Sequence, residues 1–358
     1  MNWHWRKLVF VACVTLVALL ASRGSSDPGK GSVRNLFGEG AVTLIKISAS
    51  RDAIESLRNQ PRHRVKAQVQ FASEGPFPAE IRLKGHGSFQ AIHEKPSFTV
   101  DFDSDFFPGL SRIHLNNAVE DSTYIQEHLG SEIFRSFGIA APRVAHARVK
   151  LNGRDLGLYV LKEGFTRDFL EHHFGSGVVE ETDKERSISK TLAEEQDLDV
   201  RWEKLKTAVA VEDFVSFMAA EVLIAHWDGY STAGHNFRLF VSPKDGKYHF
   251  LPIGMDQLFG NARYPAFPDM TGTMARAFME TSQGRELYAI RLQEFSRRFD
   301  SREWVARAKE LGKRLRPALT LREYRAVNQS LRELSERIVA RDEYLEVQVS
   351  NHVLAGIK

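Results

Sequence analysis

Three polar residues sit where apolar elements run out: Asp228, Asn236 and Asp256. The densest polar cluster in otherwise apolar surroundings is HWDGYSTAGHNFRLF, His226 to Phe240, and it is followed by FLPIGMDQLFG, Phe250 to Gly260. Two carboxylates and a carboxamide are the donor set of phosphoryl transfer. One acid orients or deprotonates an attacking hydroxyl, while an amide oxygen and a second carboxylate hold hard metal ions against the phosphates. Asn236 follows Asp228 by eight residues, and Gly260 follows Asp256 by four, both longer than the spacings of ordinary kinase motifs.

The elements that must position these groups can be read from periodicity. Phe214, Phe217, Met218, Val222 and Leu223 form an apolar stripe, predicting a helix over Val211 to Trp227 that delivers Asp228 at its end. Asn236 to Val241 and Tyr248 to Pro252 read as strands joined by the turn PKDGK. A hairpin brings its outer ends together, so Asn236 and Asp256 are expected to converge. The first half is strand-rich, with runs at Ala41 to Ser48, Val65 to Phe71, Ser97 to Phe102, Arg112 to Leu115, Arg143 to Leu151 and Leu156 to Lys162. Asn152 and Gly153 favour a tight turn between the last two. A single helix, Thr123 to Phe137, is expected within this half, and beyond Glu163 the balance shifts to helices, ending in a charged helical tail.

With 42% hydrophobic and 27% charged residues in 358, the chain can bury a substantial core. The net charge of +3 is small beside 49 basic and 46 acidic residues, so no nucleic-acid partner is implied. Arg6 and Lys7 precede an apolar run from Leu8 to Ala21, and the composition then turns polar, the pattern of an export signal. This run is shorter than the roughly 20 residues that span a bilayer. Cleavage near Ala21 is therefore expected, with membrane attachment only through an uncleaved segment. Cys13, the sole cysteine, lies in this run, so the mature chain would have no disulfide. Residues 1–26 are assigned to the signal or anchor, 27–35 to a linker rich in Gly, Ser and Pro, and 36–350 to one folded domain.

Four ordered segments between Arg82 and Gly260 resemble the spore-coat protein H (CotH) kinase-like family. LKGHGSFQAIHEKPSFTVDFD resembles its glycine-serine turn followed by a lysine and a strand, and GLYVLKEGFTRDFLEHHFG its Gly-Leu-Tyr segment ending in Glu. WDGY and HNFRLF resemble its Asp and His-Asn segment, and LPIGMDQLFG its Pro-Trp-Asp-x-Asp and Phe-Gly end. The resemblance implies an α+β, two-lobed, atypical protein-kinase-like fold. A sheet-rich N-lobe with one helix would cover about 36–163, and a mainly helical C-lobe about 164–350. It further implies transfer of phosphate from ATP to Ser or Thr hydroxyls of a protein acceptor, with Mg2+ or Mn2+. Asp228 would be the acid/base residue, Asn236 and Asp256 the metal ligands, and Lys95 the phosphate-contacting lysine. Glu127 or Glu132, on the small-lobe helix, would orient that lysine, and Glu163 would lie at the cofactor cleft where the lobes meet. One departure stands out: Ile253, Gly254, Met255 and Asp256 replace Trp-Asp-x-Asp, so the aromatic and the first acid are missing.

Blander readings compete. Asp and Asn favour helix ends and turns for local hydrogen bonding alone, and Lys95 can be a solvated lysine leading a strand. An exported surface or assembly protein that keeps the fold without catalysis is the second reading. A metal-dependent hydrolase, with His226, His235 and Asp256 at the metal and Asp228 activating water, is the third, and no short-spaced pair of the His-Glu-x-x-His kind supports it.

Overall fold

The computed structural model describes residues 36–356 apart from 39, 41, 73 and 104–109. The expected leader and linker, and with them Cys13, lie outside the described residues.

The chain is α+β. Its first half runs β1 (Thr43–Ser48), α1 (Arg51–Asn59), β2 (Val65–Phe71), β3 (Glu74–Lys84), β4 (Ser97–Phe102), β5 (Arg112–Asn116), α2 (Gln126–Ser136), β6 (Val144–Leu151) and β7 (Arg154–Glu163). These strands close a barrel in the order β1-β2-β3-β4-β5-β7-β6. Every pair is antiparallel except β1 with β6. Strand alternation sends Ile81, Leu83, Phe98, Val100, Ile113, Leu115, Tyr159 and Leu161 into the interior, all fully buried. Two helices, not the one expected, interrupt the strands. The overlooked α1 buries only Leu57 and is held at its start by Ser50, whose Oγ accepts from the Ala53 amide, so its apolar stripe is too thin to register as periodic.

The second half comprises α3 (Arg167–Phe174), β8 (Val179–Glu180), α4 (Glu185–Ala193), α5 (Leu198–Ala208), α6 (Val211–Leu223), α7 (Tyr230–Ala233), β9 (Phe237–Val241), β10 (Tyr248–Pro252), α8 (Thr273–Glu280), α9 (Ser282–Arg298), α10 (Ser301–Leu315) and α11 (Leu321–Gly356). Helix α6 is its centre, with every residue from Phe214 to Leu223 buried. It ends at Leu223, four residues short of the expected Trp227, because Ala225 turns to φ +50° and His226 N bonds back to Glu221 O. The hairpin β9-β10 forms as expected, with Phe237 opposite Pro252. No helix among the described residues is long and apolar enough to cross a membrane.

Although α2 lies between barrel strands in sequence, its Leu129, Ile133 and Phe134 join the core of the helical half, with Phe217, Met255 and Leu258. Contact is closest at Gly130, where a Cβ would lie 2.7 Å from Leu258 Cδ1 and 3.0 Å from Met255 Sδ. Any larger residue would push α2 away from the segment carrying Asp256.

Candidate functional site

A cavity of about 930 Å3 lies between the barrel and the helical half. Its barrel wall follows from strand register. Arg82 pairs with Thr99, Thr99 with His114 and His114 with Lys162, so one row crosses β3, β4, β5 and β7. Because their neighbours in sequence face the barrel core, these four side chains face outward, with Lys84, Ser97 and Asn116 in the adjacent row. All of them line the cavity.

Lys162 Nζ donates to Glu127 Oε1 at 2.6 Å, both side chains almost wholly buried. Burial alone would push the Glu127 carboxyl up; Lys162, with Lys84 beyond it, outweighs this and holds it below its ordinary value. The second carboxylate oxygen, Oε2, is buried without a partner, a group that invites water or a cation. Lys84 Nζ donates to Asn116 Oδ1 at 2.6 Å. Burial, then the neighbouring Lys162 charge, brings the Lys84 ammonium down to about 7.

The opposite wall is made of turns. Asn236 sits at φ +53° and sends Nδ2 to both the main-chain oxygen and Oδ2 of Asp228, each at 2.8 Å. His235 Nδ1 lies 3.4 Å from Asp228 Oδ1. Ile253 N donates to Asn236 O at 3.0 Å, closing the hairpin over the site. Gly254 follows at φ +66°, where a Cβ would come within 2.4 Å of Asn236 Oδ1. In this structure the Asn236 carboxamide occupies the space that a side chain at position 254 would enter. Asp256 is raised to about 6, first by burial and then by the nearby Glu127 charge.

Asp228, Asn236, Asp256, Glu127 and Glu163 all line this cavity, and Lys95 is not among the lining residues. The Lys95 ammonium instead lies over the rings of Tyr124 and Tyr159, at 5.0 and 5.2 Å, and donates to Tyr124 Oη at 3.2 Å. Burial draws it down to about 8. Glu127 therefore meets Lys162, not Lys95. Glu132 faces away, gripped by both Arg307 Nε and Nη2 and by His128. Glu163 ends β7 at the crossover, its carboxylate clasped by Arg143 Nε at 3.0 Å and Nη2 at 2.6 Å.

Sequence reasoning passed over Lys84, Lys162 and Arg341. Lys162 is a charge that directly follows the apolar run Leu156 to Leu161, a signal that was available. Arg341, on α11, is fully buried and donates to the carbonyls of Leu223 at 3.1 Å and Val222 at 2.6 Å, bracing the end of α6 just before Asp228. Nothing in the charged tail distinguishes it from its neighbours.

The donor set suits a hard cation. Asp256, the Asn236 oxygen and the orphaned Glu127 oxygen are all oxygen donors, and Mg2+ or Mn2+ needs only one or two carboxylates when phosphates and water complete its shell. No group of three His, Cys, Asp or Glu among the described residues is placed to bind a metal ion of either kind, hard or transition. His226 is turned away, its Nε2 donating to Gly254 O at 3.1 Å.

The family model described as CotH kinase protein matches residues 81–203 and 180–346, most of the chain and all of the cavity lining except Arg62. The chain belongs to the CotH family. It is 24% identical over 217 residues to the inner spore coat protein H of Bacillus subtilis, covering 51% of this chain and 59% of that protein. It is 21% identical over 325 residues to invasin CotH2 of Rhizopus delemar, covering 74% of this chain and 55% of that protein. This CotH-family chain thus spans a little over half the length of these relatives. Among solved structures, the Helicobacter pylori proinflammatory kinase CtkA overlaps 72% of this chain and 95% of its own, at TM-score 0.41 and 11% identity. A chain from the Shewanella oneidensis MR-1 complex of HipA, HipB and operator DNA overlaps 94% and 84%, at TM-score 0.37 and 13% identity. Both overlaps are loose.

Proposed function

We propose that this CotH-family chain is an exported phosphotransferase of two-lobed, kinase-like architecture. It moves the terminal phosphate of ATP to a Ser or Thr hydroxyl of a protein acceptor with the help of Mg2+ or Mn2+. The observation that carries this reading is the division of one cavity into a cationic wall, built around the buried Lys162 and Glu127 pair, and an oxygen-donor wall holding Asp228, Asn236 and Asp256.

Lys84 and Lys162 would take the outer phosphates, the role first expected of Lys95. Glu127 holds Lys162 in place, and α2 carries Glu127 against the Met255 to Leu258 segment. Asp256 and Asn236 would hold the cation, which neutralises phosphate charge when bound. Asp228 would accept the acceptor's hydroxyl proton as the hydroxyl oxygen bonds to the terminal phosphorus. The bond from that phosphorus to its bridging oxygen breaks, and ADP leaves with the electron pair. Asn236 fixes the Asp228 carboxylate through the same amide that bonds its main-chain oxygen. Spore-coat and invasin relatives, together with the leader-like first residues, support work outside the cytoplasm.

A second reading, an assembly protein that binds without turnover, draws support from Gly254 standing where the family has its first acid. Incubating the purified protein with ATP labelled on the terminal phosphate, divalent cation and a panel of protein acceptors separates the two. Label transfer that is lost in Asp228→Ala and Asp256→Ala is the expected result. Equal, background labelling by wild type and both variants leaves only the binding reading.

A further inference from the structure

His249, on β10, turns each of its ring nitrogens to a carboxylate. Nδ1 lies 2.9 Å from Oδ2 of Asp213, on the first turn of α6, and Nε2 lies 3.1 Å from Oδ2 of Asp245, in the turn between β9 and β10. An ionised carboxylate only accepts, so both bonds form together when the ring carries both protons and is a cation. The ring is buried, its centroid 5.0 Å from that of Phe174 on α3. Burial opposes the charge, but Asp213 and Asp245 outweigh it and raise the imidazole above its ordinary value. The other charged groups around it have partners of their own. Glu212 pairs with Arg291 of α9 at 2.6 Å, Lys244 Nζ donates to His173 O at 3.3 Å, and Arg135 of α2 donates to the carbonyls of Ala141 and Pro142. Lys247 donates its main-chain N–H to Asp245 Oδ1 at 3.0 Å, which fixes that acid within its turn.

Asp213 and Asp245 belong to the two elements that deliver the turn wall of the cavity. Helix α6 runs from the turn of Asp213 toward Asp228, and the strands of the hairpin run from the turn of Asp245 to Asn236 and Ile253. His249 therefore ties these elements together at the ends remote from the cavity. At the cavity end they meet again, through the Asn236 bonds to Asp228. Between the two ties, the Phe250 ring packs on Phe214 and Phe217 of α6, at 4.6 and 5.7 Å between centroids. Loss of one ring proton leaves a lone pair facing a carboxylate, so one attraction becomes a repulsion. The close-packed aromatic layer carries the resulting shift along the hairpin.

We propose that His249 is a positioning residue that works as a pH-sensitive clamp: as a cation it fastens the β9-β10 hairpin to α6, and on losing a proton it loosens the turn wall. The clamp holds whatever reaction the cavity performs. Because folding raises the imidazole above 6.5, its contribution to stability is complete below that pH and is lost as pH rises through the raised value. The test compares wild type, His249→Gln and Asp213→Asn in urea denaturation from pH 6 to 9. Amide exchange at Ile253 N, whose bond to Asn236 O closes the hairpin, is followed alongside and corrected for the intrinsic pH dependence of exchange. The advantage of wild type over His249→Gln in the folding equilibrium constant should shrink by about tenfold across that range, and protection at Ile253 should fall in wild type alone. Asp213→Asn, whose amide can donate to a neutral ring, should give a flatter profile. An advantage that stays constant with pH overturns the proposal. So does a shrinking advantage with unchanged protection at Ile253, which would confine the clamp to the far end of the hairpin. Should His249→Gln fail to fold, the Hε1 resonance of His249 in the wild type decides: a midpoint above 6.5 that falls in Asp213→Asn upholds the clamp, and one at or below 6.5 overturns it.

Discussion

The two walls of the cavity are built on different physical grounds. On the barrel wall, Arg82, Lys84 and Lys162 are placed by strand alternation: once Ile81, Leu83 and Leu161 are buried, their neighbours must face out. On the facing wall, Asp228, Asn236 and Asp256 sit on irregular backbone, with positive φ at Ala225, Asn236 and Gly254. Such conformations persist only where surrounding contacts overdetermine them. Here those contacts are the Asn236 bonds to Asp228, the Ile253 to Asn236 closure and the Arg341 brace under α6. Under the proposed function, the barrel wall would serve binding and the turn wall chemistry. Variants of the two should therefore fail in different ways.

Asp228→Asn should show the largest effect, lowering kcat about 10²- to 10⁴-fold while nucleotide affinity and thermal stability stay near wild type. A matching fall in nucleotide affinity would erase the division of labour between the walls. Lys162→Met should show the reverse pattern. It leaves Glu127 buried without its cation, which costs about 3–5 kcal/mol in urea denaturation. Lys162→Met combined with Glu127→Leu should regain much of that stability yet still bind ATP poorly. Failure of the double variant to recover would mean that the pair does not act as a unit.

Legibility in the sequence divides along the same line. Asp228, Asn236 and Asp256 were visible because acids and amides at the ends of strongly apolar elements are conspicuous, and the hairpin that joins two of them carries its own turn signal. Lys84 and Lys162 were obscured because alternation marks a position as outward-facing without saying whether it faces solvent or a cleft. That depends on the closure of β7 between β5 and β6, a long-range fact. Lys95 was favoured because it follows a glycine-containing turn, but its stem packs toward Tyr124 and Tyr159, where two aromatic faces outcompete the cavity. The helices over Thr273–Glu280 and Ser282–Arg298 were passed over although their signal was available: Met274, Ala275, Ala277 and Phe278 bury one face, and Tyr288, Leu292 and Phe295 recur at helical spacing.

Gly254→Ala should have an intermediate effect. It places a Cβ at φ +66° and against the Asn236 carboxamide, costing about 1–3 kcal/mol of local strain and loosening Asn236 from Asp228. The turn wall should then lose activity while ATP affinity holds; unaltered stability and activity would show that the Asn236 contact is dispensable.

The smallest effect is a pH slope beneath the same wall. Glu221 is buried in α6 and accepts bonds from Tyr230 N at 2.8 Å and from Ser231 N at 2.8 Å, fixing the turn that follows Asp228. Burial raises its carboxyl to about 7 from an ordinary value of 4.5. Between those values the folded protein keeps a proton that the unfolded chain releases, so stability falls as pH rises through that window. Glu221→Gln removes this titration, so the stability advantage of wild type over the variant should be greater at pH 5 than at pH 8. A constant difference would show that the Glu221 proton is not coupled to folding, and the turn wall would then owe its rigidity to hydrogen bonds that are insensitive to pH. The barrel wall predicts the opposite sign: burial lowers the Lys84 ammonium to about 7. Its folded state has released a proton that the unfolded chain retains from pH 7 up to about 10.5, so its contribution to stability increases with pH over that range. Lys84→Met should remove that increase, and comparing the two variants across pH 5 to 9 assigns each slope to its wall.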